Sequence, residues 1–212
     1  MDRSRILRFS ACLLVLLTMQ AAIMGSTPAR NNAESSYPAD ALRYLTDGNR
    51  GGRLSPYDDL VKRHAARIGM DWRLLSAIIW NESQYNARAH SNMSAKGLMQ
   101  IRDIAAEHYG FPDVDLFNPS TNLQIGTMLL EDLFRNFRKE GMEPADVVRF
   151  SLASYNSGGG TLARKRAEAD SLGLDPNNWE DVASVYRLTS GYTPAYVEAV
   201  EATYAHYCTF LK

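Results

Sequence analysis

Apolar residues recur every three or four positions through most of the chain after residue 55, which is the spacing of helices with one buried face. No run alternates apolar and polar residues in the way that a half-buried strand requires. Six helices are predicted. They run from Ser55-Pro56 to about Ile68, from Asp71 to about Ser83, from residue 101 to 109, from Asn118-Pro119 to about Phe137, from Pro144 to about Ser154, and from Thr193-Pro194 to about Tyr207. We therefore predict a mainly α-helical domain over residues 55–212.

Two stretches between these helices are less regular. Residues 84–96 are polar and small, which predicts a loop. Residues 157–192 show weaker periodicity, although 161–170 has a helical pattern. Trp179 lies in this second stretch among polar neighbours, and the sequence leaves open whether its ring is packed or is available to stack on a ligand.

The first 25 residues differ from the rest of the chain. Three arginines precede a short apolar run at residues 11–17, and small residues follow it. A basic start, an apolar middle and small residues are typical of a secretory signal peptide. An uncleaved membrane anchor is the alternative, although polar residues interrupt the run before it reaches about 20 residues. Residues 1–25 therefore predict export to the periplasm or cell envelope, and the polar residues 26–54 predict a flexible linker.

Composition excludes several classes of protein. The 212 residues are 45% hydrophobic and 22% charged, which excludes a chain that is disordered throughout. The formal net charge of −1 gives no basic field, so we expect no nucleic-acid partner. The four histidines are too scattered to form a local pair of metal ligands, and the two cysteines form no Cys-x-x-Cys motif.

Glu82 has an unusual position on the predicted helix 71–83. At about 100° per residue, it falls between Leu75 and Ile78 on the apolar face. Because a buried charge is costly, two interpretations stay open. Either the head group reaches water at the helix end, or Glu82 is a partly buried functional acid. In the second case burial raises its pKa and keeps it protonated, as a general acid requires.

Two later segments place polar side chains among apolar ones. Gln100 lies in the run Gly97-Leu98-Met99-Gln100-Ile101, and its amide is suited to orienting a sugar or amide ligand. Tyr155 and Asn156 end a predicted helix before a glycine run, and they offer a ring, a hydroxyl and an amide. Taken singly, each segment is also explained by core packing or by an ordinary helix stop.

Taken together, these residues form an ordered set of motifs. The set consists of Glu82-Ser83, then Gly97-Leu98-Met99-Gln100, then Tyr155-Asn156 with Gly158, then Tyr196-Val197. In this order and spacing the motifs, over about residues 56–208, resemble those of the soluble-type lytic transglycosylases, which are related to goose-type lysozymes. Asn118-Pro119, followed by Asn122 and Gly126, also resembles the segment between the family's second and third motifs. The resemblance implies a lysozyme-like helical fold with a catalytic cleft.

The resemblance also implies an activity. Such enzymes cleave the β-1,4 bond between N-acetylmuramic acid and N-acetylglucosamine in peptidoglycan without water, and they leave a 1,6-anhydromuramoyl end. Glu82 is then the single general acid and base. The implied substrate-binding residues are Ser83, Met99, Gln100, Tyr155, Asn156 and Tyr196. Peptidoglycan glycan strands are the implied partner, and neither a metal nor an organic cofactor is needed.

The chain departs from the family at one motif. Tyr192-Thr193-Pro194 stands where the family often has Glu-Thr-Arg, so the relative roles of Tyr192 and Tyr196 stay open. Two other functions are compatible with the sequence. One is hydrolysis by a goose-type lysozyme-like enzyme. The other is a non-catalytic glycan-binding or assembly module. The resemblance also implies a secretion or envelope-spanning assembly as a partner, because many members of the family open the wall locally for such a machine.

Overall fold

The structure, a computed structural model, describes residues 53–211, and the regular secondary structure over that range is almost entirely helical. Its helices are α1 (Asp58–Arg67), α2 (Trp72–Ser83), α3 (Asp103–His108), α4 (Pro119–Lys139), α5 (Pro144–Ser157), α6 (Gly159–Ser171), α7 (Trp179–Thr189) and α8 (Tyr192–Phe210). Within the described residues, β-pairing is limited to single bridges that join Lys96 to His90 and to Ile101. The predicted helical fold class is confirmed.

Helix α1 begins two residues later than its sequence predicts, at Asp58 instead of Pro56. The Asp58 carboxylate is buried and accepts hydrogen bonds from the backbone N–H of Leu54, and from the N–H and hydroxyl of Ser55, all at 2.8 Å. These bonds hold the chain in a turn before the helix. Leu54, the last residue of the predicted linker, is consequently buried. The predicted signal peptide and the linker up to residue 52 lie outside the described residues.

Helix α7 lies in the stretch whose periodicity was too weak to predict a helix. Asn178 caps it, because its side-chain oxygen accepts the backbone N–H of Asp181 at 3.2 Å. Trp179 is 2% exposed and meets the Phe150 ring edge to face, with centroids 5.6 Å apart. The ring is therefore part of the core and is not available to stack on a ligand.

Helix α2 is at the centre of the domain. Leu75, Ala77, Ile78 and Ile79 are completely buried on it, and α1 and α8 pack against it. Helix α8 also packs against α5 and α7, while α4 packs against α1 and α5. Helix α2, which carries Glu82 on its last turn, is therefore packed against both α1 and α8.

Within residues 53–211, none of the helices combines the length and the apolar character that a membrane-crossing segment requires.

Candidate active site

The helix that carries Glu82 is fixed at both ends. At the start of α2, the Asp71 carboxylate accepts the backbone N–H of Arg73 at 2.9 Å, which is the cap predicted from the sequence. At its end, Gln84 and Tyr85 have φ angles of 51° and 60°, in the left-handed region that residues other than glycine rarely adopt. Two such residues in succession turn the chain sharply away, and Glu82 lies in the last helical turn before this corner.

The Glu82 carboxyl is partly buried and hydrogen-bonded to a residue of α8. Its Oε1 accepts the hydroxyl of Tyr196 at 2.6 Å. Burial raises the pKa of Glu82 from 4.5 to about 7, and the Tyr196 donor opposes that rise by stabilising the carboxylate. Burial, followed by the charge of Glu82, also raises the pKa of both Tyr155 and Tyr196 well above 10, so both phenols stay protonated.

The segment Gly97 to Ile101 is held in place by Asn122 of α4. The completely buried Asn122 amide accepts the backbone N–H of Met99 and donates to the carbonyls of Lys96 and Leu116, each at 2.8 Å. Gly97 has a φ of 76°, and a Cβ on it would overlap the Leu116 carbonyl oxygen and the Asn122 amide. Glycine is therefore required at this position, both for the backbone conformation and for space.

Met99 differs from the expectation that it lines the cleft. Its side chain is completely buried, and a Cβ at Gly126 of α4 would overlap its sulfur. The missing side chain at Gly126 leaves the space that Met99 fills. We call the segment from Gly97 to Ile101 the wall of the site. The Met99 side chain supports this wall from the core, and its backbone carbonyl, not its thioether, faces the neighbouring helix α5.

Ser83 and Gln100 also bind backbone groups of this wall. The Ser83 hydroxyl donates to the Leu98 carbonyl at 2.8 Å, which joins the end of α2 to the segment. The Gln100 amide nitrogen donates to the carbonyls of Gly97 at 3.0 Å and Ala89 at 3.3 Å. In this structure both side chains therefore hold the loop around the site.

Helix α5 ends at the same place. The Tyr155 hydroxyl donates to the Met99 carbonyl at 2.7 Å. Its neighbour Asn156 accepts the hydroxyl of Thr193, from the first turn of α8, at 3.2 Å. From the sequence, Thr193 was predicted only as the start of a helix and not as a partner of Asn156. Its position between Tyr192 and Tyr196 was the one indication that it belongs to the site.

These contacts bring all seven predicted residues into one region. Glu82 meets Tyr196 directly, and the pKa effects of Glu82 on Tyr155 place that phenol nearby. Ser83, Met99 and Gln100 belong to the wall that Tyr155 contacts, as described above. Asn156 is joined through Thr193 to the helix that carries Tyr196. Among residues 53–211, no group of three or more His, Cys, Asp or Glu side chains is arranged to hold a metal ion.

The family model of the transglycosylase SLT domain matches residues 59–177. A membrane-bound lytic murein transglycosylase F from Desulfosudis oleivorans is 34% identical over 136 residues, covering 64% of this chain and 29% of the relative. The enzyme of the same name from Stutzerimonas stutzeri is 39% identical, covering 61% of this chain and 26% of the relative. The chain thus spans less than a third of the length of these curated relatives.

Solved structures agree with the fold. The 70 kDa soluble lytic transglycosylase of Escherichia coli superposes with a TM-score of 0.56 at 27% identity, covering 73% of this chain and 24% of that one. A complex of the 70 kDa soluble lytic transglycosylase with bulgecin A gives a TM-score of 0.57 at 28% identity, with 74% and 24% covered. The predicted lysozyme-like helical fold is confirmed. The family model covers more than half of this sequence, and the chain belongs to the transglycosylase SLT domain family.

Proposed function

We propose that this chain is a lytic transglycosylase that cleaves the bond between N-acetylmuramic acid and N-acetylglucosamine in peptidoglycan. The observation that carries the proposal is the Glu82 carboxyl, whose pKa of about 7 keeps a large fraction protonated near neutral pH. Family membership and the names of the relatives, which are murein transglycosylases, support the same substrate class.

In the proposed reaction Glu82 acts twice. Its carboxylic acid first protonates the glycosidic oxygen as the bond to the anomeric carbon breaks, and the 2-acetamido group of the muramoyl sugar stabilises the positive carbon. The Glu82 carboxylate then removes the proton from the 6-hydroxyl of the same sugar, whose oxygen bonds to the anomeric carbon. The proton returns to Glu82, a 1,6-anhydro ring forms, and no water is consumed. Because the attacking hydroxyl belongs to the same sugar, little entropy is lost.

A single carboxyl is sufficient for this sequence of steps. Hydrolysing glycosidases usually need a second carboxylate, as a nucleophile or as a base that activates water. In residues 53–211, burial raises the pKa of Glu82 and the Tyr196 hydroxyl lowers it, and no second carboxylate contributes to this pKa. In the proposal Tyr196 orients Glu82, while Tyr155, Asn156 and Gln100 surround the sugar. Ser83 and Met99 shape the wall behind it.

Product analysis tests the proposal against the hydrolytic alternative. Purified peptidoglycan sacculi are digested with the wild-type protein, and the soluble muropeptides are identified by mass spectrometry. We expect 1,6-anhydromuramoyl products, each lighter by one water than its hydrolytic counterpart. Products with only reducing ends would establish a goose-type lysozyme-like hydrolase instead, and binding without any product would establish a non-catalytic module.

Replacing Tyr196 by phenylalanine should move the pH dependence of the reaction. The Tyr196 hydroxyl donates to Glu82 at 2.6 Å and lowers its pKa, so its removal raises the pKa further above about 7. Activity that needs the protonated acid falls as pH rises through this pKa, and the falling limb of kcat/KM therefore shifts to higher pH. The lost orientation of the carboxyl should also lower the maximum rate about tenfold.

Tyr204→Phe is the matched control for this prediction. Tyr204 is also on α8, but its hydroxyl donates to Asp71 at the opposite end of α2, about 16 Å along the helix from Glu82. The control should leave the position of the falling limb where it is in the wild type. An unchanged limb in Tyr196→Phe would contradict the assigned coupling between Tyr196 and Glu82.

The proposed place of action is the cell envelope. Residues 1–25 export the chain to the periplasm or hold it at the membrane, and residues 26–54 link that segment to the catalytic domain at 55–212. Peptidoglycan strands are the substrate and principal partner. A secretion or envelope-spanning assembly is a second partner, for which the wall must be opened locally. Fractionation of cells that produce the tagged chain, with and without residues 1–25, tests this placement.

A further inference from the structure

Tyr192 is the first residue of α8 and is unusually exposed for a large aromatic side chain. Its exposed fraction is 74%, whereas Tyr186 and Tyr207, on α7 and α8, are each 3% exposed. Its backbone N–H bonds to the Ser190 hydroxyl at 3.4 Å, which fixes the entry to the helix. The Tyr192 ring is therefore largely exposed to solvent, although the residue belongs to a helix.

The residues around Tyr192 belong to the candidate active site. Thr193, the next residue, is buried and binds Asn156. Tyr196 follows one helical turn later, on the same face of α8 as Tyr192, and binds Glu82. Tyr192 also contributes to the raised pKa of Tyr196, as expected for two phenols one turn apart on a helix. The exposed ring thus lies at the rim of the region that contains the acid.

An aromatic ring in this position suits a sugar. One face of a pyranose carries C–H groups that pack against an aromatic face, and the contact removes apolar surface of both partners from water. A tyrosine also loses little conformational freedom on binding, because it has two rotatable side-chain bonds.

We propose that the ring of Tyr192 is a stacking platform for a pyranose unit of the glycan strand, next to the unit whose bond is cleaved. The identity of the sugar rests on the proposed function, but the platform itself needs only a glycan ligand. Tyr192 and Tyr196 then have separate roles: Tyr192 binds sugar through its ring, and Tyr196 acts on Glu82 through its hydroxyl. Tyr192 is a substrate-binding residue and takes no part in proton transfer.

Binding is measured without turnover by placing each change in a Glu82→Gln background. Isothermal titration calorimetry with chitohexaose gives the Kd for the parent, Tyr192→Ala and Tyr192→Phe. We expect Tyr192→Ala to weaken binding about three- to tenfold, because the ring is lost. Tyr192→Phe keeps the ring and should recover most of the affinity.

Leu172→Ala is the matched control for removal of an exposed apolar side chain. Leu172 is 58% exposed and follows α6, about 20 Å along that helix from Gly158 and the end of α5. It should bind chitohexaose like the parent. In the active protein, digestion of sacculi should show a raised KM for Tyr192→Ala with kcat within about twofold, whereas a general loss of structure would lower kcat.

The outcomes separate this inference from the proposed function. Equal Kd values for Tyr192→Ala and Leu172→Ala would overturn the platform, and so would a Tyr192→Phe variant as weak as the alanine variant. Neither result affects the anhydro products of the wild type. Conversely, hydrolytic products from the wild type would overturn the proposed reaction, while a weakened Kd in Tyr192→Ala would still support the platform.

Discussion

Replacement of Glu82 by glutamine is expected to lower the turnover of peptidoglycan at least about 10³-fold, because the amide can neither protonate the glycosidic oxygen nor accept the 6-hydroxyl proton. The variant should remain folded. Glutamine has nearly the same shape, and its amide oxygen still accepts the Tyr196 hydroxyl that Glu82 accepts at 2.6 Å. The release of soluble muropeptides measures turnover, and circular dichroism measures folding.

The same substitution should increase stability at alkaline pH. Below about pH 4.5, Glu82 is neutral in both the folded and the unfolded protein and makes no difference. As pH rises, the unfolded chain ionises first, so the wild type loses stability up to the folded pKa of about 7. A pKa raised from 4.5 to about 7 corresponds to about 3 kcal/mol at pH 8.

Thermal unfolding at pH 4 and pH 8 therefore distinguishes the variant from the wild type. We expect nearly equal Tm values at pH 4 and a higher Tm for Glu82→Gln at pH 8. Other titrating groups are common to both proteins, so the difference isolates Glu82. A Glu82→Gln variant with full turnover would refute the assigned acid, and equal stability at pH 8 would contradict its burial.

Asn122→Ala should have the largest effect on stability among the site substitutions. The change removes three hydrogen bonds and leaves the Met99 N–H and the Leu116 carbonyl without a partner in a buried region, while the Lys96 carbonyl keeps the Ile101 N–H. An unsatisfied buried group costs about 1–3 kcal/mol, so we expect a loss of about 3 kcal/mol or more in the free energy of unfolding. Urea denaturation followed by tryptophan fluorescence measures it.

Asn136→Ala provides the control on the same helix. Asn136 is exposed on α4, and its replacement should change the free energy of unfolding by less than about 0.5 kcal/mol. The two variants share the gain in helix propensity that alanine brings. Similar stabilities would mean that Asn122 does not hold the segment from Gly97 to Ile101. A loss confined to Asn122→Ala, accompanied by lower activity, would link the buried amide to the geometry of the site.

The helical repeat placed Glu82 on the apolar face of its helix, but it did not indicate which group the carboxyl meets. The helical repeat was sufficient to place Glu82 among apolar residues, since that placement depends on neighbours within one helix. The partner that tunes it, Tyr196, is 114 residues away, and no local pattern encodes such a contact. The weak repeat of residues 157–192 likewise concealed α7, whose Trp179 and Tyr186 are buried through packing on other helices.

Met99 shows what a sequence motif leaves open. A motif identifies a residue as important, but it does not distinguish a side chain that faces the ligand from one that supports the loop. Here the decisive information was the missing side chain of Gly126, on a different helix. The residues of the motif were predicted, and their orientation required the packed structure.

The hydrogen bond from Tyr196 to Glu82 also has a consequence during synthesis of the chain. Glu82 leaves the ribosome 114 residues before Tyr196, which donates to it. A nascent or shortened chain that ends between these two residues therefore has the carboxyl without the group that orients it. The proposed cleavage of glycan strands thus depends on a chain that has folded through Tyr196, which limits damage from such partial products.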